Sequence, residues 1–178
     1  AAKRPFILLD ANILFSSRIR ELFFLYCAVA DTTPFWSVKI VEEWKENYKG
    51  HFSGKKDEKD ILKHLDSAYS RMKKDYPKSE IKLTKKEIEA IEFNQDLDDR
   101  HVIAAAKKYK VDFVITNDKD LKGKTIYGIK FISAKKFFEM KEHAVYLEEA
   151  IKSHVSILKS PKVTVEEYKK YLEKNLLD

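Results

Sequence analysis

The stretch FILLDAN at residues 6–12 decides how this chain is expected to fold. Residues 6–9 form an uninterrupted apolar run, which is typical of a strand buried on both faces inside a parallel sheet. Asp10 and Asn12 follow at once and predict a turn at the carboxyl end of that strand. Since ligands of open parallel sheets bind beyond the carboxyl ends of the strands, this turn is a candidate functional position.

Two more apolar runs predict strands, and helical patterns lie between them. Residues 111–116 form the second predicted buried strand, followed by a polar turn at 117–120, and residues 129–132 form the third. Apolar spacing and capping residues predict the helices. These are a helix over residues 17–29 and helices that begin at Ser37, Asp57, Thr84, Asp98–Asp99, Ser133 and Thr164. Helices between parallel strands predict a three-layer α/β fold with a central parallel sheet.

Length and composition indicate one globular unit that is rich in helix. The chain has 178 residues, 36% of them charged, with four glycines and four prolines. The single cysteine, Cys27, rules out an internal disulfide and lies in an apolar run, as expected of an inert thiol in a reducing compartment. Because no run approaches the roughly 18 apolar residues of a membrane span, we expect a cytoplasmic protein without membrane contact.

The charge balance suggests a polyanionic partner. The formal net charge is +6 and the pI is near 9.1, values that suit nucleic acid binding. A soluble protein coated with lysine has the same balance, so charge alone leaves both interpretations open.

Acidic residues are predicted to converge at the carboxyl edge of the sheet. Asp10 follows the first strand and Asp118 follows the second, while Asp98 and Asp99 begin the helix that leads into the second strand. A helix entered from the carboxyl edge has its N-terminus on that edge, so these acids can share one rim. Glu43 lies among core-facing positions of its helix and can reach the same rim.

Four carboxylates in one cleft predict a divalent cation. Like charges at close range would otherwise raise the pKa of at least one carboxyl. Oxygen ligands, with no histidine or cysteine at ligand spacing, suit Mg²⁺ or Mn²⁺ rather than zinc. Such ions polarise phosphoryl oxygens and lower the pKa of a bound water. A basic protein with this cleft is therefore expected to be a nuclease.

Each candidate also has a structural explanation, which the residues alone leave open. Turn formation, helix capping and solvation on a helix face are all common uses of acidic residues. The turn formers would be Asp10, Asn12, Asp118 and Asp120, the N-cap would be Asp98 or Asp99, and the solvated residue would be Glu43. His101 is expected to be a hydrogen-bonded structural histidine rather than a base.

Four segments together resemble the PIN-domain nucleases. They are FILLDANILF at 6–15, IVEEW at 40–44, DLDDRHVIAAA at 96–106 and FVITNDKDL at 113–121. The string DDRHVIAAA and the tail segment SPKVTVEEYKKYLE are similar to a prokaryotic subgroup of toxins from toxin–antitoxin pairs. The resemblance implies a PIN-like domain over residues 1–140 and a helical C-terminal extension over residues 141–178 packed on it.

The same resemblance implies a metal-dependent endoribonuclease that uses Mg²⁺ or Mn²⁺. The catalytic and metal-binding acids would be Asp10, Glu43, Asp99 and Asp118, supported by Asn12 and Thr116, with Asp98 and Asp120 as extra acids. Whether Asp98 or Asp99 is the ligand stays open. Arg100, the basic residue nearest in sequence, is expected to hold the RNA backbone. The implied partners are RNA, with DNA as an alternative, a small antitoxin protein and a second copy of the chain.

Two other functions stay open at this point. A strand that ends in Asp10 followed by Asn12 also resembles the haloacid-dehalogenase-like phosphatases, although Asn12 stands where those enzymes carry a proton-donating aspartate. A nucleic-acid-binding module could keep the fold without the chemistry. A missing acid would favour that module, and none of the four expected acids is missing.

Overall fold

A mostly parallel sheet of six strands lies at the centre of the computed structural model, which describes residues 4–176. The strands are β1 (Ile7–Leu9), β2 (Pro34–Ser37), β3 (Glu80–Ile81), β4 (Phe113–Ile115), β5 (Thr125–Ile126) and β6 (Ile129–Ile132). Their order across the sheet is β3-β2-β1-β4-β6-β5, and among these strands only β5 pairs antiparallel. β1 is central and fully buried, as its apolar run predicts.

Helices flank the sheet, and five of those described begin where capping residues predict them. They are α1 (Ala11–Phe15), α2 (Ser17–Ala30), α3 (Val38–Phe52), α4 (Glu58–Asp75), α5 (Lys85–Glu89), a 3₁₀ turn (Leu97–Asp99), α6 (Arg100–Lys108), α7 (Ala134–Glu139), α8 (Lys141–Ile157) and α9 (Val165–Asn175). The side chains of Ser37, Asp57, Thr84, Ser133 and Thr164 each accept a backbone N–H of the first helical turn. The predicted α/β fold with a central parallel sheet is confirmed.

Three short strands escape the sequence patterns. β2 begins with Pro34, runs directly into α3 and lies between β1 and β3. β3 and β5 have two residues each. Two residues carry no readable alternation of apolar and polar positions, and β2 begins with a proline, which is uncommon inside a sheet. Only their pairing with neighbouring strands identifies these three strands.

The predicted turn after β1 is wrong in one respect. Asp10 ends the strand and caps the short helix α1, whose first backbone N–H, at Ala11, donates to the Asp10 carboxylate at 2.8 Å. Asn12 therefore lies inside a helix, on its exposed face, rather than in a turn. Aspartate and asparagine are common both in turns and at the starts of helices. The helix forms here because α1 packs against α3.

The C-terminal helices pack on the same core as the sheet. α8 packs against α2 and α7, and α9 packs against α8. Ile151 of α8 and Leu172 of α9 are buried in that core. Residues 1–3 and 177–178 of the two expected segments lie outside the described residues. Of the helices that are described, none combines the length and apolar character needed to cross a membrane.

Candidate metal centre

Two of the expected acids lie at the ends of neighbouring parallel strands. β1 pairs with β4 so that Leu9 lies beside Ile115, and Asp10 and Thr116 follow at the carboxyl edge. The Thr116 hydroxyl donates to Asp10 Oδ2 at 2.8 Å and accepts the backbone N–H of Asp118 at 3.0 Å. The threonine therefore links the two acids through one side chain.

Asn12 joins the same two strand ends from helix α1. Its Nδ2 donates to Thr116 Oγ1 at 3.4 Å, and its Oδ1 accepts the backbone N–H of Asn117 at 3.1 Å. Since both bonds cross from one element to another, Asn12 fixes the loop after β4 against α1. The structure thus brings both expected supporting residues, Asn12 and Thr116, together with Asp10.

The two adjacent acids before α6 differ in burial. Asp99 is buried with 8% of its surface exposed, whereas Asp98 is exposed. Asp96, rather than Asp98 or Asp99, caps the 3₁₀ turn, because its Oδ1 accepts the Asp98 backbone N–H at 2.9 Å. With capping supplied by Asp96, the Asp99 carboxylate makes no cap hydrogen bond.

Asp96 is an acid of the cluster that sequence reasoning missed. Carboxylate oxygens of Asp96, Asp99 and Asp120 all lie within 4.8 Å of one another. Asp120 also donates its backbone N–H to Asp118 Oδ1 at 2.8 Å, which places both residues of the loop after β4 at this cluster. An acid three residues before Asp99, at a helix start, could have been recognised from the sequence as a candidate.

Mutual repulsion and burial perturb the carboxyls of this cluster. Burial, followed by the charges of Asp118, Asp96 and Asp10, raises the pKa of Asp99 to about 7. Burial also raises the pKa of Asp10, opposed by its hydrogen bonds from Thr116 and Ala11 and reinforced by the charge of Glu43. A bound cation would favour the ionised form of both groups.

An unpaired buried oxygen shows that the cluster lacks a partner. Asp99 Oδ2 is buried, and no described residue hydrogen-bonds to it. Buried polar atoms are normally paired, so this oxygen needs a water, a proton or an ion. Because the donors gathered here are all oxygens, they fit a hard divalent cation such as Mg²⁺ or Mn²⁺.

Glu43 lies on helix α3, is not among the three acids whose oxygens lie within 4.8 Å of one another, and is held by a histidine. His101 Nε2 lies 2.6 Å from Glu43 Oε1. His101 is buried, as befits a structural residue, but its Nδ1 has no partner among the described residues, so it is not the fully paired histidine that we expected. Glu43 is close enough to Asp10 for its charge to raise the pKa of Asp10.

Arg100 lies at the start of α6, beside the acids, and is partly exposed. Its Nε donates to the Leu97 carbonyl oxygen at 3.2 Å, so the guanidinium also stabilises the 3₁₀ turn that carries Asp99.

Comparison with known proteins identifies the family. The PIN domain family matches residues 7–120, which is more than half of the chain and includes every acid described above. No curated protein matches the sequence. PIN domains are generally nucleases that use divalent metal ions, which agrees with the oxygen-rich cluster at the sheet edge. On the extent of this match, the chain belongs to the PIN domain family.

Proposed function

We propose that this protein is an endoribonuclease that hydrolyses RNA phosphodiesters at a Mg²⁺ or Mn²⁺ centre held by Asp10, Asp99 and Asp118, with Glu43 completing the centre. The observation that carries the proposal is the buried Asp99 Oδ2, which has no hydrogen-bond partner among the described residues although charged acids surround it. A buried oxygen in that position is suited to a cation rather than to a structural contact.

The remaining acids are assigned by their exposure and contacts. Asp96 and Asp120 come within 4.8 Å of Asp99 and are proposed as outer members of the centre. Asp98 is exposed and stands outside it. Thr116 donates to the Asp10 carboxylate and Asn12 in turn donates to Thr116, so the two residues hold the direction of that carboxylate, a role that commonly controls metal affinity.

The reaction follows from what the centre binds. A bound Mg²⁺ or Mn²⁺ would lower the pKa of a water and stabilise charge on the scissile phosphate. Glu43, whose side chain is 36% exposed, would orient the attacking water, and Arg100 would contact the RNA backbone. Attack by water on the phosphorus breaks the bond to the 3′-oxygen, which leaves as a 3′-hydroxyl after taking up a proton, so the other product carries a 5′-phosphate and the 2′-hydroxyl of RNA is not needed. The net charge of +6 supports binding of a polyanion.

The test is a cleavage assay with two adjacent aspartates as a matched pair. Labelled RNA and DNA of the same sequence are incubated with the protein in Mg²⁺, in Mn²⁺ and in chelator, and the end groups are identified. We expect metal-dependent cleavage of RNA that Asp99→Asn abolishes and that Asp98→Asn, at the exposed neighbour, retains. A 2′,3′-cyclic phosphate product or full activity in chelator would contradict the mechanism, and cleavage of DNA alone would contradict the substrate.

We further propose that the protein is the toxin of a toxin–antitoxin pair and acts in the cytoplasm. The segment DDRHVIAAA and the C-terminal segment SPKVTVEEYKKYLE support this role through their resemblance to that subgroup. Induced expression in bacteria should arrest growth, Asp99→Asn should not, and co-expression of a small protein encoded directly upstream should restore growth. Size-exclusion chromatography of the protein alone and with that partner tests the proposed homodimer and the complex.

A further inference from the structure

We infer that His101 is a positioning residue of the metal centre, which holds the Glu43 carboxylate so that its second oxygen faces the other acids. This inference rests on the proposed function. His101 Nε2 lies 2.6 Å from Glu43 Oε1, a short distance typical of a charge-assisted hydrogen bond. The imidazole is 1% exposed, whereas the Glu43 side chain is 36% exposed.

The direction of this hydrogen bond is fixed by chemistry. A carboxylate only accepts, so Nε2 carries the proton that it donates to Glu43. The other ring nitrogen, Nδ1, is buried without a partner among the described residues. Among the described residues, Glu43 is thus the one hydrogen-bond partner of this buried ring, which also lies close enough to Asp10 to act on its carboxyl. An apolar side chain could fill the same space without leaving an unpaired nitrogen, so packing alone does not explain a histidine here.

The bond also joins the two helices that carry acids to the cleft. His101 lies on α6, two residues after Asp99, and Glu43 lies on α3. Among the described residues, His101 is the one hydrogen-bonding partner of the Glu43 carboxylate. Without it, the carboxylate would rotate freely on a partly exposed helix face. With Oε1 occupied by the histidine, Oε2 is left for the cleft, where the charge of Glu43 already acts on Asp10.

A positioning role predicts that His101 acts chiefly through Glu43, and a double-mutant cycle measures this. The full chain is titrated with Mn²⁺ by calorimetry as wild type, His101→Leu, Glu43→Ala and the double variant. We expect His101→Leu to weaken Mn²⁺ binding roughly 10-fold to 100-fold, as loss of such partners commonly does. In the Glu43→Ala background the same change should have a much smaller effect. An equal loss in both backgrounds would overturn the inference.

Conservative variants keep the test valid if His101→Leu fails to fold. His101→Gln places an amide N–H near the position of Nε2 and should retain Mn²⁺ affinity within a few-fold of wild type. His101→Asn is too short to reach Glu43 and should lose affinity. Thermal unfolding in chelator establishes that each variant is folded. Equal affinities of the glutamine and asparagine variants would overturn a positioning role.

A second buried histidine supplies the matched control. His154 Nε2 donates to Glu21 Oε2 at 2.8 Å, between helices α8 and α2. His154→Leu should lower the melting temperature and leave the Mn²⁺ affinity unchanged. If Mn²⁺ binds to wild type and Glu43→Ala weakens it but His101→Leu does not, the inference fails and the proposed function stands. If wild type binds no Mn²⁺, both fail.

Discussion

Two buried histidine–glutamate pairs differ in how completely they are satisfied. The first pair is His154 with Glu21, here called the C-terminal pair because its histidine lies on the C-terminal helix α8. His154 bonds Glu21 through Nε2 at 2.8 Å and the Tyr168 hydroxyl through Nδ1 at 2.6 Å. In the cleft pair, His101 bonds Glu43 through Nε2, and its Nδ1 has no partner among the described residues. The C-terminal pair joins α2, α8 and α9, so all its polar atoms serve packing between helices.

The pKa values of the carboxyl groups in the two regions are shifted in opposite directions. The hydrogen bond from His154 is the main cause that lowers the pKa of Glu21, whereas burial and neighbouring acids raise the pKa of Asp10 and Asp99. A lowered carboxyl pKa stabilises the fold at neutral pH, and a raised one destabilises it. The same residue types therefore support stability in the fully paired His154–Glu21 contact, whereas in the cleft they surround a buried carboxylate oxygen that lacks a partner among the described residues.

The largest expected difference between the two regions concerns catalysis. Asp10→Asn should reduce turnover by more than about 100-fold, beyond the loss typical of supporting partners, because it removes a proposed ligand charge. RNA binding should be largely retained, since the backbone contacts lie elsewhere. Glu21→Gln makes the same chemical change in the C-terminal region and should leave turnover intact. Single-turnover cleavage measures turnover, and filter binding measures RNA affinity. Equal losses of turnover in Asp10→Asn and Glu21→Gln would show that the two regions do not differ in catalysis.

The largest loss of folding stability is expected in the C-terminal region, around His154. Tyr168→Phe removes the hydroxyl that pairs with His154 Nδ1 and leaves that buried nitrogen without a partner. The free energy of unfolding should fall by about 1–3 kcal/mol. Urea denaturation measures the change, and Mn²⁺ titration should give the wild-type affinity. An altered Mn²⁺ affinity would show that the two regions are coupled.

The pH dependence of stability should also separate the regions. The folded pKa of Asp99 is about 7, against 3.8 for the ordinary group, so the folded state binds more protons between these values. In chelator, stability should therefore fall as pH rises from about 5.5 to 8. Glu21 has the opposite sign, because its lowered pKa stabilises the fold above the ordinary value of 4.5 and that stability is lost as pH falls below it.

Thermal unfolding at several pH values in chelator tests this difference. Asp99→Asn should flatten the dependence of folding stability on pH between pH 5.5 and 8. In this range Glu21 is ionised in both the folded and unfolded states. Saturating Mn²⁺ should also flatten it in the wild-type protein. A slope unchanged by Asp99→Asn would show that the raised pKa does not belong to this carboxyl.

The smallest expected effect concerns RNA contacts. Arg100→Ala should lower the slope of log affinity against log salt concentration by about one, as expected for a lost phosphate contact. Arg71, which pairs with Glu21 at 3.4 Å, provides a control arginine in the other region. Arg71→Ala should leave the slope unchanged. Equal slopes for Arg100→Ala and wild type would remove Arg100 from the proposed RNA contact.

The sequence predicted the main elements because local patterns determine them. The apolar runs marked β1, β4 and β6, and capping side chains such as Ser37 and Ser133 marked helix starts. Each of these features depends on residues within one turn or one strand. The strands β2, β3 and β5 were missed, since their pairing is decided by neighbours that are distant in sequence.

By itself, the sequence determined which acids could form a site and the order in which they occur. A strand end, a helix start and a family resemblance sufficed to nominate Asp10, Asp118 and one of the pair Asp98 and Asp99 as candidates. Only the tertiary structure separated Asp99 from Asp98, added Asp96 and paired Glu43 with His101, which lies 58 positions away. Burial and long-range hydrogen bonds distinguish neighbouring acids, and both depend on how the helices pack against the sheet rather than on any local pattern.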